Sequence, residues 1–178
     1  MSLPESFQRG TGRDKPCPYN MFRIGIGHDT HRLVAGRPLI LGGVRIESNL
    51  GADGHSDADA LSHAIADAIL GALSEGDLGT HFPDSDSQWK DADSLQLLAQ
   101  VYSLARERGY RLANVDATIM LERPKLREHI LKMRETLAKT MEVEAVCVSV
   151  KAKTGEGLDA VGRGEAVTVQ AIVLLQRD

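Results

Sequence analysis

Asp29-Thr30-His31, followed later by His63, supplies one carboxylate and two imidazoles suited to holding a metal ion. Asp29 and His31 are two apart in an extended segment, so their side chains project to one face. His63 falls on the helix that follows. Three ligands of this kind leave one tetrahedral position open, which is the arrangement of a catalytic zinc site rather than a closed structural one. Asp59 and Asp67 stand four residues to either side of His63 and share its helical stripe. A metal-bound imidazole usually donates its second N–H to a carboxylate, and either Asp could accept it. His63 alone reads as a surface histidine; Asp29-x-His31 is what makes it a ligand candidate.

His55-Ser56-Asp57 opens the same helix. Ser56 or Asp57 is a natural N-cap, and Asp59, three after Ser56, resembles a capping box. Unpaired N–H groups at a helix start also favour phosphate, to which His55 could donate. Further on, Asp77-Leu78-Gly79 and Phe82-Pro83-Asp84-Ser85-Asp86 punctuate a long connection. They read equally as turn chemistry and as acceptors for sugar hydroxyls. Lys153-Thr154-Gly155-Glu156 begins a Gly-rich loop in which Thr154 could meet phosphate oxygens and Glu156 a harder cation such as Mg²⁺. It is not a Walker loop, because the required Gly and Lys order is absent. No Ser-His-Asp or Cys-His nucleophile stands out, so these residues point to metal-assisted chemistry on a phosphorylated substrate.

At 178 residues the chain fits one domain over 22–178, preceded by a polar extension, 1–21, expected to be disordered or weakly ordered. That extension lacks the apolar centre of a secretory signal. No stretch approaches the roughly 20 apolar residues of a membrane span, so the expectation is a cytoplasmic protein without a membrane partner. A formal net charge of -4 argues against nucleic acid as a partner. Aromatic residues make up only 4% of the chain. Its core must therefore come from small aliphatic side chains, and a subunit interface would add burial. Cys17 lies in the polar tail and Cys147 in an apolar run, where it reads as a buried small hydrophobe; they suggest no disulfide framework.

The elements that must carry these residues alternate in type. A strand is expected over 22–27 and a strand pair over 37–46, turning at Gly42-Gly43. A helix over 57–74 presents Leu61, Ile65, Ala68, Ile69 and Ala72 on one face. The connection 75–93 is long, and a second helix spans 94–107, stopped by Gly109. Strand 111–122, a helix opening at Pro124 and reaching Met141, strand 145–153, a loop over 154–164 and strand 165–176 complete the chain. The fold class is α/β (α+β), a single mixed sheet with helices on one face.

Taken in order, these motifs carry a resemblance. Asp29-x-His31, Leu41-Gly-Gly-Val44, His55-Ser56-Asp57-Ala-Asp59 and Gly76-Asp77-Leu-Gly79 come first. Phe82-Pro-Asp84, Asn114-Val-Asp116, Pro124-Lys125, Lys151-Ala-Lys-Thr-x-Glu156 and Gly162-Arg-Gly-Glu165 follow. From about Phe22 to Gln176 the chain closely resembles the 2-C-methyl-D-erythritol 2,4-cyclodiphosphate synthases of the non-mevalonate isoprenoid pathway.

That resemblance implies a ferredoxin-like subunit in a homotrimer, with active sites between neighbours. It implies cyclisation of a cytidine-diphospho-methylerythritol 2-phosphate with release of CMP. Asp29, His31 and His63 match the zinc ligands, and Glu156 the Mg²⁺ or Mn²⁺ position. His55 and Thr154 match catalytic positions that stabilise the transition state, and Ser56 a phosphate contact. Thr30, between two ligands, is a substrate-binding candidate, Asp77, Leu78 and Gly79 match the ribose contacts, and Phe82 to Asp86 the methylerythritol-phosphate loop. Leu121, Glu122, Arg123, Pro124, Lys125, Leu126 and Arg127 match a cytosine pocket contributed across the interface, and Lys153 to Glu156 the diphosphate loop. Arg163 and Glu165 match residues near the trimer axis, Arg163 also as a phosphate contact. The chain departs from one common form of the pattern at Lys153, Gly157 and Ala160; Lys153 adds a cation beside the diphosphate. Two other readings fit three ligands and an open position: a zinc phosphohydrolase, and a non-catalytic trimeric module binding nucleotide or isoprenoid phosphate.

Overall fold

The computed structural model describes residues 21–83, 89 and 92–177. The expected extension up to residue 20, with Cys17, and Asp84, Ser85 and Asp86 of the long connection lie outside the described residues.

The first strand is longer than its sequence signature, because β1 (Phe22–Ala35) runs on through the Asp29-Thr30-His31 motif. Alternation turns Gly25, Gly27, Asp29 and His31 inward, while Phe22, Ile24, Ile26 and His28 face out. β2 (Leu39–Leu41) and β3 (Val44–Ile46) form a hairpin over Gly42-Gly43, whose φ values of 58° and 71° are those of a primed turn. β4 (Leu50–Ala52) pairs with the far end of β1. Then come α1 (Ala60–Leu73), α2 (Leu78–His81), α3 (Ser94–Glu107), β5 (Tyr110–Met120), α4 (Ile130–Thr140), β6 (Val148–Lys153), α5 (Asp159–Gly162) and β7 (Ala166–Arg177).

Five strands make one sheet in the order β4-β1-β7-β5-β6, with β5 and β6 parallel and the other pairs antiparallel. The expected single sheet is therefore corrected to this sheet plus the separate β2-β3 hairpin. The ferredoxin-like order is corrected too, since it needs β-α-β-β-α-β. Here helices separate β1, β5 and β6, and β7 then inserts between β1 and β5. The reason is burial: Val167, Val169, Ala171, Val173 and Leu175 are all fully buried, so β7 suits a central position. Its register brings Asp29 opposite Val169 and His31 opposite Val167.

α1 packs on β1 and β7 and closes the inner face around Leu61, Ile65 and Ile69. It starts later than expected, at Ala60, and its cap is Asp59 rather than Ser56 or Asp57. The fully buried Asp59 carboxylate accepts from Leu61 N, Ser62 N, Gly42 N and Gly43 N at 2.7–3.1 Å. Burial pushes its carboxyl up, opposed by these N–H donors. Asp59 thus ties the β2-β3 turn to the start of α1.

Two further boundaries move. The helix expected at Pro124 begins only at Ile130. Leu121 N–H instead donates to Lys153 O at 2.9 Å, which binds the irregular segment before α4 to the end of β6. Cys147 closes a 3-10 turn, Ala145–Cys147, ahead of β6 and is only half-buried.

Candidate metal centre and substrate cleft

The inward alternation of β1 and the stripe of α1 bring Asp29, His31 and His63 together. His31 Nε2 and His63 Nδ1 lie 3.0 and 3.1 Å from the same Asp29 oxygen, Oδ2. The three donor atoms fall within 4.8 Å of one another. His31 Nε2 is buried without an aligned hydrogen-bond partner. A buried, unsatisfied nitrogen aimed at a carboxylate oxygen and a second imidazole fits a metal ion between them. The outer nitrogen of each ring is held: His31 Nδ1 lies 2.8 Å from Asp53 O, and His63 Nε2 lies 2.8 Å from Ser94 Oγ and 3.2 Å from Ser56 Oγ.

Burial alone would raise the Asp29 carboxyl, but the adjoining His31 and His63 rings outweigh it and hold it far below the usual carboxylate range. Burial alone would lower His31, yet Asp29 outweighs it and raises His31 above its ordinary value. A metal takes His31 only as the neutral ring. Below that raised pKa a proton competes, so affinity is expected to fall by up to about tenfold per pH unit as pH drops, and to level off above it. Zinc titration calorimetry from mildly acidic to mildly alkaline pH tests this; a flat profile would contradict it.

Neither acid proposed to orient His63 does so in the expected way. The oxygens of Asp59 are committed to the helix cap and the Gly42-Gly43 turn. Asp67 Oδ1 accepts from Leu78 N at 2.7 Å and so fixes the start of α2. The i±4 stripe puts both on His63's side of the helix, but α2 and the hairpin claim them first. Sequence reasoning missed Ser94, because nothing local links it to His63, 31 positions away. Arg37 was also missed: its guanidinium donates to Ala52 O, Gly54 O and Ser56 O at 2.9–3.3 Å and so shapes the loop carrying His55.

One cleft gathers Asp29, His31, His55, Ser56 and His63 with Asp77, Leu78, Gly79 and Phe82. His55 is exposed at its rim, while Ser56 is buried and accepts from Ala58 N at 3.1 Å. Asp77 caps α2 by accepting from Thr80 N at 2.9 Å. Trp89, which the sequence did not single out, lines the same cleft and meets Phe82 edge-on at 4.9 Å between centroids. Pro83 is described next to Phe82, and Thr30 turns its hydroxyl outward to Thr168 Oγ1 at 3.1 Å.

The remaining predicted residues line a second cleft, formed by Leu121, Pro124, Lys125, Leu126 and Arg127 with Lys153 and Thr154. Arg123 sits on an adjoining groove with Leu50. Glu122 Oε2 accepts from Gly155 N at 3.0 Å, so Glu122 holds the loop rather than lining the cleft. Thr154 donates its hydroxyl to the exposed Glu156, and Arg163 pairs with Glu165 at 2.9 Å. Within the chain, then, the metal cluster and the second cleft are separate surfaces. Asp29, His31 and His63 are the one metal-ligand cluster among the described residues. Among them, too, no helix is long and apolar enough to cross a membrane.

Comparison with known proteins finds relatives over most of the chain. The chain is 57% identical over 157 residues to the 2-C-methyl-D-erythritol 2,4-cyclodiphosphate synthase of Synechococcus elongatus, covering 88% of this chain and 98% of that one. A solved 2C-methyl-D-erythritol-2,4-cyclodiphosphate synthase in a CDP-bound form superposes with a TM-score of 0.80 at 40% identity, over 86% of this chain and 100% of that one. The bifunctional IspDF from Campylobacter jejuni gives 0.85 at 39% identity, over 88% of this chain and 42% of that one. The YgbB family model matches residues 22–176, nearly the whole described chain, and the protein belongs to the YgbB family.

Proposed function

We propose that the protein converts 4-diphosphocytidyl-2-C-methyl-D-erythritol 2-phosphate into 2-C-methyl-D-erythritol 2,4-cyclodiphosphate and CMP. The carrying observation is the convergence of Asp29, His31 and His63 in a cleft that also presents His55, Asp77 and Gly79, in a chain of this family. An oxygen of the 2-phosphate attacks the diphosphate phosphorus that is esterified to the methylerythritol. The bond from that phosphorus to the bridging oxygen breaks, and CMP leaves with the electron pair. Both reacting groups are anionic, so repulsion is the first obstacle. A zinc ion held by Asp29, His31 and His63 would supply charge neutralisation and alignment at those oxygens. Glu156 offers a single exposed carboxylate, which suits Mg²⁺ or Mn²⁺ shared with substrate phosphates.

The chain's own residues do the positioning. His55 at the rim donates to a phosphate oxygen, and Asp77 with the open backbone at Gly79 receives the ribose. Because the reaction is intramolecular, holding the substrate in a ring-like pose supplies much of the acceleration; well-oriented cases reach roughly 7–11 kcal/mol. Thr154 and the 121–127 segment belong to the second cleft, so a complete site needs that cleft from a neighbouring subunit. A homotrimer provides it. The uncovered sheet face supports assembly, since Ile24, Ile26 and Ile172 are 73%, 60% and 47% exposed there.

A phosphorus NMR time course with the zinc- and magnesium-loaded protein tests the reading. A cyclic diphosphate appearing together with CMP is expected. CMP with an open-chain bisphosphate would make the protein a hydrolase, and an unchanged spectrum a binding module.

A further inference from the structure

We propose that Ser94 and Asp57 are positioning residues for the metal centre, acting by fixing which nitrogen of His63 carries the proton. The proposal rests on the assignment of His63 as a metal ligand.

Ser94 is the first residue of α3 and is 1% exposed. Its backbone N–H donates to Asp57 Oδ2 at 3.3 Å, and its hydroxyl donates to Asp57 Oδ1. A carboxylate only accepts, so the hydroxyl hydrogen is committed to Asp57. Ser94 Oγ then has only lone pairs to offer the ring nitrogen 2.8 Å away, and His63 Nε2 must be the protonated one. With a cation shared at that point, Nδ1 is the nitrogen left to ligate beside Asp29 Oδ2, 3.1 Å away; without one, the Asp29 carboxylate competes with Ser94 for the ring proton. Ser56 Oγ, 3.2 Å from the same Nε2, is a hydroxyl that can accept or donate, so the direction is set by Ser94.

His31 reaches the same end from the other side of its ring. Asp53 O, a carbonyl that only accepts, takes the proton of His31 Nδ1 at 2.8 Å. His31 Nε2 is thereby bare and points to Asp29 Oδ2 at 3.0 Å. The two rings thus turn opposite nitrogens to one point, each because its other nitrogen meets an acceptor with no proton to give. Asp57, which sequence reasoning placed only as an alternative helix cap, reaches His63 through a hydroxyl on α3. Tautomer control by an outer partner is worth about 10–100-fold in metal affinity when the partner is removed.

Long-range proton–nitrogen NMR of the zinc-loaded protein reads directly which ring nitrogen of His63 carries the proton. His63 is expected with its proton on Nε2; a proton on Nδ1 in the wild type would overturn the proposal without any variant. Chelator competition should show Ser94→Ala binding zinc about 10–100-fold more weakly, with Ser94→Thr restoring affinity. A merely structural role would lower the melting temperature without changing the tautomer. If Ser94→Ala kept wild-type zinc affinity while His63→Ala lost it, the Ser94 role would be wrong and the metal reading would stand. If the wild type bound no zinc, the metal reading would fail and take this proposal with it.

Discussion

His63→Ala is expected to lose zinc and cyclisation together while remaining folded. Its ring lies at the wall of the cleft, not in the aliphatic core, and its Nδ1 faces Asp29 Oδ2 at 3.1 Å. Removing it leaves one imidazole and one carboxylate, too few to hold zinc with a single open position. The loss in kcat is expected to be on the order of 10²–10³ or more, the usual effect of removing a preorganised electrostatic stabiliser. His55→Ala separates the two kinds of contribution. His55 lines the same cleft without belonging to the ligand cluster, so that variant should keep its zinc and lose rate. Zinc stoichiometry by elemental analysis, measured beside CMP release, decides the matter. A His63→Ala protein with full zinc content would remove His63 from the ligand set. One with no zinc and normal turnover would separate the metal from the chemistry altogether.

The convergence of Asp29, His31 and His63 into a group that could hold a metal ion was legible because both of its halves are local patterns. Asp29 and His31 alternate along a strand, and His63 lies on an amphipathic helix whose apolar face, Leu61, Ile65 and Ile69, is buried as its spacing requires. The Gly42-Gly43 turn was legible for the same reason. What could not be read are choices between competing partners. Asp59 and Asp67 sit at the right helical spacing from His63, yet the hairpin turn and the start of α2 bind them. Ser94 carries no local signal, because its contact with His63 exists only once α3 lies beside α1. The place of β7 was hidden likewise: five fully buried residues mark a strand, and only pairing on both edges makes it central. The predicted cytosine pocket forms a surface apart from the metal cluster, and no local pattern in the sequence shows how far apart the fold sets two loops.

The distance between Asp29 and His63 is set by two residues with no side chain. An ideal Cβ at Gly27 would lie 1.9 Å from Ala64 O and 2.7 Å from Ala68 N; one at Gly25 would lie 1.8 Å from Ala68 O. These are backbone atoms of α1, so no side-chain rotation relieves the clash. Gly27→Ala must push α1 away by about 1.5 Å to reach an ordinary contact of 3.4 Å. Ala64 follows His63 directly, and Gly27 stands two before Asp29, so the displacement falls on the ligand pair. Overpacking of this kind costs about 1–3 kcal/mol or more. An ångström of misplacement at a reacting centre costs roughly 10²-fold in rate. Gly27→Ala is therefore expected to melt earlier, bind zinc more weakly and turn over about 10²-fold more slowly. Gly71→Ala on the same helix is the control, since its Cβ would meet only Ile26 O at 3.7 Å. There the replacement relieves a glycine inside a helix, and stability is expected to hold or rise by about 0.5–1 kcal/mol. Thermal melts and zinc titrations of the two variants side by side make the test. If Gly27→Ala matched Gly71→Ala in both, close approach of α1 to β1 would not be what holds the metal ligands in register.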